Sequence, residues 1–112
     1  MQISDLQRNR GNPELNTSLF RNAFEMDLKI NKDKYRGRLI PINPQLSDKY
    51  TGDYYGLLIE LGIPEEMHWF NMRLNDWLTT TDYIPNKPFI FDIDASAVKT
   101  LLEYHLASQR QL

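Results

Sequence analysis

No cysteine occurs among the 112 residues of this chain, so packing and hydrogen bonding alone must hold whatever fold it adopts. Disulfide scaffolds, thiolate zinc sites and cysteine nucleophiles are excluded together. A chain of this length buries roughly two-thirds of the surface its unfolded form exposes, enough for one core without covalent staples. Apolar residues make up 41% and charged residues 25%, ordinary values for a globular chain. No run approaches the roughly 18 unbroken apolar residues of a membrane helix, so no membrane partner is expected. The opening Met1-Gln2-Ile3-Ser4-Asp5 has no basic segment leading into an apolar one. No secretory signal is read there, and synthesis in the cytoplasm of a host cell is expected.

Charge is distributed unevenly. Residues 1–42 carry eight Lys/Arg against five Asp/Glu, and residues 43–112 carry five against ten. The basic residues are dispersed among acids, so nucleic-acid binding is not expected; electrostatic fit to another protein subunit, a second copy included, explains the asymmetry better. Residues 1–17, with Arg8 and Arg10 and few large apolar groups, show neither helical nor alternating periodicity. They are read as an extended N-terminal arm, with residues 18–112 as a single α+β domain.

Phe24, Met26, Leu28 and Ile30 alternate with Glu25, Asp27 and Lys29, the pattern of a half-buried strand. Asn31-Lys32-Asp33-Lys34 has turn chemistry, and Tyr35 to Ile40 reads as the returning strand of an N-terminal β-hairpin. Pro41, Pro44 and the residues to Lys49 read as a polar loop. Asp53 predicts an N-cap for a helix from Tyr54 to Leu61, and Gly62 predicts its close. Pro64-Glu65-Glu66 opens a further helix, along which Met67, Phe70, Leu74, Trp77 and Leu78 form one stripe, with Trp69 and Met72 on another flank. After Pro85-Asn86-Lys87-Pro88, the run Phe89 to Ile93 predicts a strand. A C-terminal helix follows from Asp94 or Ser96, with Val98, Leu101, Leu102, His105 and Leu106 spaced to dock on the sheet.

From Gly52 to Asp92 the chain is similar to the LysM module, a small βααβ unit. The marks are Gly52-Asp53 at the first helix, Gly62 near its end, Glu65-Glu66 opening the second, Leu74-Asn75 closing it, and Pro85-Asn86-Lys87-Pro88 before the apolar strand. Asn86 stands where the turn glycine is usual, and Asp92 where a proline often ends the strand. The long, aromatic second helix, Met67 to Asn75, looks more like the LysM-like folds in tail and baseplate proteins of bacteriophages. There the resemblance implies assembly rather than sugar binding, with extra strands and arms that thread neighbouring subunits.

Candidate chemistry is sparse. The two histidines, His68 and His105, lack the partners that nucleophilic catalysis or metal ligation requires and are read as packing or surface residues. Asp92 and Asp94 share a strand face, but Asp94 is better read as a helix cap. Ser96-Ala97-Val98-Lys99 is a bare S-x-x-K pattern without its companion motifs. No glycine-rich phosphate loop exists. No catalytic residue, metal site or cofactor is therefore expected.

The resulting expectation is a non-enzymatic virion structural protein, a bacteriophage tail, baseplate or neck component in an oligomeric assembly. It would dock neighbouring subunits through Arg8 and Arg10 of the arm and through Trp69 and Met72, because large aromatics beside methionine bury much area at low entropic cost. The alternative is a carbohydrate-binding LysM module for peptidoglycan or chitin-type sugars, contacting them with Gly52, Asp53, Tyr54 and Tyr83. A further alternative is a small acidic inhibitor of a host enzyme.

Overall fold

The computed structural model describes residues 13–110. The chain is α+β and divides into two compact units, one built from the described residues up to Tyr35 together with those from Asp94 onward, the other from Arg36–Ile93. Of the expected arm, residues 1–12, with Arg8 and Arg10, lie outside the described residues.

In the first unit, Pro13–Asn16 forms a 3-10 turn whose Leu15 is buried. Helix α1 follows over Ser18–Tyr35. Thr17 Oγ1 accepts the Phe20 N–H at 3.2 Å and satisfies one of the first-turn donors. This helix replaces the expected N-terminal β-hairpin, which is absent from the described residues. The alternation of Phe24, Met26, Leu28 and Ile30 belongs to two helical faces seen together. Phe20, Phe24 and Leu28 recur every four residues and are buried, whereas Leu19, Met26 and Ile30 are exposed. Leu, Met, Glu, Lys and Ala, all good helix formers, also fill the segment. The expected turn at Asn31 survives only as a break in α1, where Asn31 takes φ −126° and ψ 43°. Its amide donates to Asp27 Oδ1 at 2.9 Å.

Helix α5, the last of the chain, spans Ala95–Arg110. Asp94 caps it, its Oδ1 accepting the Ser96 N–H at 3.0 Å and the Ala97 N–H at 3.3 Å. Its buried residues Val98 and Leu102 belong to the first unit, and α5 packs there against α1, with the His105 and Phe20 rings 5.6 Å apart. The Asp94 N–H donates to Tyr35 O at 2.8 Å, tying the start of α5 to the end of α1. Each fully buried Phe or Leu contributes roughly 1.5–3 kcal/mol through lost apolar surface.

The second unit runs from strand β1, Arg36–Pro41, through helices α2, Pro44–Lys49, α3, Tyr54–Glu60, and α4, His68–Leu74, to strand β2, Phe89–Ile93. The strands pair antiparallel as one two-stranded sheet, with Leu39 opposite Phe91, Ile40 opposite Ile90 and Pro41 opposite Phe89. The register slips between Arg36 and Leu39. Thus β1 is a strand as expected, but its partner is β2.

Local chemistry explains the helix ends. Asn43 Oδ1 accepts the Gln45 N–H at 2.8 Å and Pro44 opens α2, so the expected polar loop is a short helix. Asp53 Oδ1 accepts the Gly56 N–H at 3.0 Å and caps α3. Gly62 closes it at φ +78°, which lets the Gly62 and Ile63 N–H groups reach Ile59 O and Leu58 O, each at 3.0 Å. Glu65–Met67 forms a 3-10 turn that leads into α4. Met67, Phe70 and Leu74 are buried as the stripe predicts, but α4 ends at Leu74, so Leu78 falls outside the helix and is exposed.

Candidate functional site

Two loops of the second unit come together. The Gly52 N–H donates to Tyr83 O at 2.8 Å and the Tyr55 N–H to Thr80 Oγ1 at 3.0 Å, so the start of α3 and the segment after α4 lie side by side. The four residues expected to touch sugar in the alternative reading, Gly52, Asp53, Tyr54 and Tyr83, are thus neighbours, but their side chains serve the interior or the backbone. Tyr54 is 0% exposed and Tyr83 is 3% exposed, with ring centroids 5.2 Å apart. Trp77 packs against both, 6.5 Å from Tyr54 and 5.4 Å from Tyr83. The Tyr83 hydroxyl shares a 2.6 Å hydrogen bond with Ser47 Oγ, and the Tyr54 hydroxyl accepts from Asn71 Nδ2 at 3.2 Å. Burial pushes the Tyr54 phenol well above its ordinary range, and Tyr83 beside it adds to the shift. Asp53 is committed to its cap, and Gly52 takes φ +78° in the turn before it. Tyr54 and Tyr83 therefore present no stacking platform. Apolar rings bearing one hydroxyl each are well suited to a small core when an internal partner waits for the hydroxyl.

The docking pair separates likewise. Trp69 is half-buried, edge-on to Phe70 at 5.2 Å, while Met72 is 3% exposed and lies in the core. Residues three apart on a helix share a flank, yet at Met72 that flank turns inward, so the pair forms no joint exposed patch.

Both histidines have structural surroundings. His68 is buried, with Nε2 2.7 Å from Ile63 O, and His105 is half-buried against Phe20. Asp92 faces Arg38 at 3.8 Å and Asp94 caps α5. Among the described residues no group of three or more His, Asp or Glu side chains is placed to hold a metal ion.

Two asparagines organise the unit: Asn75, expected only to close its helix with Leu74, and Asn71, to which sequence reasoning assigned no role. Asn71 is fully buried, and its Oδ1 accepts the Ile93 N–H at 2.7 Å. Asn75 Oδ1 accepts the Phe91 N–H at 2.9 Å, and its Nδ2 donates to Phe91 O at 2.9 Å and to Asn71 O at 2.8 Å. Their amides serve the side of β2 that β1 does not, as a third strand would.

The surface feature that sequence reasoning missed is an open cleft of about 310 Å³ between the residues around α2 and those before β2, lined by Ile42, Pro44, Ser47, Asp48 and residues 85–88. The Ile42 N–H donates to Pro88 O at 2.7 Å and fixes its floor. The prolines in both loops signal preset backbones, but no local signal says that the loops meet. The cleft offers apolar wall, one lysine and one carboxylate, and neither histidine. No helix among the described residues is long and apolar enough to cross a membrane. Comparison with protein-family models, with curated proteins and with solved structures found no match to this chain.

Proposed function

We propose that this chain is a non-enzymatic docking protein of a larger protein assembly, in the setting its LysM-like resemblance implies: a bacteriophage tail, baseplate or neck. The observation that carries this reading is the exposure of large apolar side chains on both units, Leu19, Met26 and Ile30 on the first and Leu39, Ile59, Leu78 and Ile84 on the second. Meanwhile the buried polar side chains Ser47, His68 and Asn71 are engaged in internal hydrogen bonds. Exposed apolar surface is stabilised by cover, and a neighbouring subunit supplies it.

The order of the second unit supports the resemblance, since helices lie between two end strands that pair antiparallel. So does Asn75, whose place in the Leu74-Asn75 mark matches its role of holding the final strand. Arg8, Arg10 and the exposed part of Trp69 are the proposed contacts, and Met72 is withdrawn from that set. Particles purified from the source of the chain should contain the protein, and deletion of residues 1–12, which spares buried Leu15 and the Thr17 cap, should abolish its incorporation. Recovery only in the particle-free fraction would overturn the reading.

The cleft between residues 42–48 and 85–88 favours a second reading, carbohydrate binding. There Lys87, Asn86 and Asp48 would meet sugar hydroxyls, and the apolar lining would meet a sugar face. Sedimentation with insoluble peptidoglycan separates the two readings: the docking protein stays in the supernatant and the sugar binder pellets.

A further inference from the structure

Helix α1 carries a second apolar face beside the one that fills the interior of the first unit. Leu19, Met26 and Ile30 are 64%, 69% and 81% exposed. With half-buried Ala23 they recur at intervals of four, three and four residues, all before the break at Asn31. At 3.6 residues per turn this spacing forms one strip, the repeat with which two helices mesh side chains into each other's gaps. The strip is centred about 130° around the helix from the buried face of Phe20, Phe24 and Leu28, so it is not the margin of the core.

We propose that this strip is the seam of a homodimer, in which the α1 helices of two copies pair antiparallel about a two-fold axis between Ala23 and Met26. Leu19 then meets Ile30 of the partner subunit, and Ala23 meets Met26 of the partner subunit. Three observations select a second copy as the occupant. Four-three-four spacing reads the same from either end, so a two-fold axis lays the strip onto itself, the self-complementarity that an isologous interface requires. The small Ala23 leaves room for the long, adaptable Met26 side chain of the partner subunit at the closest approach.

Charge order gives the third. Asp27 pairs with Lys34 within the chain at 2.5 Å. Counted along the chain, Glu14, Arg21, Glu25 and Asp27 make residues 13–28 net negative, and Lys29, Lys32, Asp33 and Lys34 make residues 29–35 net positive. Antiparallel pairing sets opposite signs and opposed helix dipoles against each other, whereas parallel pairing sets like against like. With three large, mostly exposed apolar side chains per copy the seam is small, at or below the low end for specific interfaces, about 1,200 Å². The dimer is therefore reversible and of modest affinity. This inference goes beyond the assembly reading while drawing on the same exposed Leu19, Met26 and Ile30, and the mass of the purified chain tests it separately from incorporation into particles.

Sedimentation equilibrium of the full chain tests it. The mass should rise from 13.3 kDa toward twice that value as concentration increases. Met26→Glu and Ile30→Lys, both at exposed positions, should each keep the chain monomeric with an unchanged helical circular dichroism signal. Because the chain lacks cysteine, orientation can be read from single thiols. Leu19→Cys and Ile30→Cys should form a disulfide when mixed and neither alone, since antiparallel pairing separates like positions by about 16 Å. Constant monomer mass at all concentrations, dimers that persist in both charged variants, or cross-linking of Leu19→Cys with itself would each overturn the proposal.

Discussion

Asn71 shows how much one side chain decides here. Its Oδ1 holds the Ile93 N–H and its Nδ2 holds the Tyr54 hydroxyl, all in the interior of the second unit. Asn71→Leu leaves that amide and that hydroxyl buried without partners, and the expected loss is about 2–4 kcal/mol of unfolding free energy in a urea titration. Asp27 makes the first unit sensitive to acid. Burial alone would raise its carboxyl, but hydrogen bonds from Lys34, Tyr35 and Asn31, with the charge of Lys34, hold it at about 2 against an ordinary 3.8. A carboxyl depressed on folding binds fewer protons in the native state, so its stabilisation is complete above about pH 4 and disappears as pH falls toward 2. Solvent screening of the exposed Lys34 holds that stabilisation to about 1 kcal/mol, and Asp27→Asn should flatten the melting temperature against pH over this window while lowering it at neutral pH. Burial, and then the hydrogen bond to Asp27, push the Tyr35 phenol upward, so Tyr35 remains a neutral donor throughout.

At the scale of elements, the ends of helices were legible because caps act over three or four residues. Asp53, Gly62 and Asp94 each stand where their chemistry places them. A Cβ added at Gly62 meets nothing within 4 Å, so the cost of Gly62→Ala is backbone strain at φ +78° alone. About 1 kcal/mol is expected, and Gly62→Asn should recover part of it in the same thermal melt. Gly56→Ala differs, since the added Cβ would lie 2.3 Å from Asp53 Oδ2 and displace the cap that α3 depends on. The type of α1 was not legible in the same way. Apolar residues at every second position from Phe24 to Ile30 satisfy a strand with one buried face, and equally a helix with one buried and one exposed apolar face. The inward turn of Met72 and the commitment of Tyr54 and Tyr83 to internal hydrogen bonds are also decided by neighbours far along the chain.

For the whole molecule, the first unit is assembled from both ends of the chain and the second from its middle. Its α1 and α5 therefore meet only after the intervening residues have been made. Truncation after Ile93 removes Val98, Leu102 and His105 from that unit and strips apolar cover from Phe20. Its far-ultraviolet circular dichroism should lose more helix than the deleted residues account for, because the unbroken part of α1, residues 18–30, is marginal in water without tertiary cover.

The amino-acid sequence by itself determined the caps at Asp53, Gly62 and Asp94, the strand at Phe89–Ile93, and that no covalent staple or thiol chemistry is present, because capping, turn preference and composition are local properties. Only the tertiary structure decided that residues 18–35 form a helix, that β1 pairs with β2, that two asparagines serve the outer side of β2, and which apolar side chains remain exposed. Each of these depends on which segments meet, and a periodicity that fits two elements cannot settle that until a partner covers one of its faces.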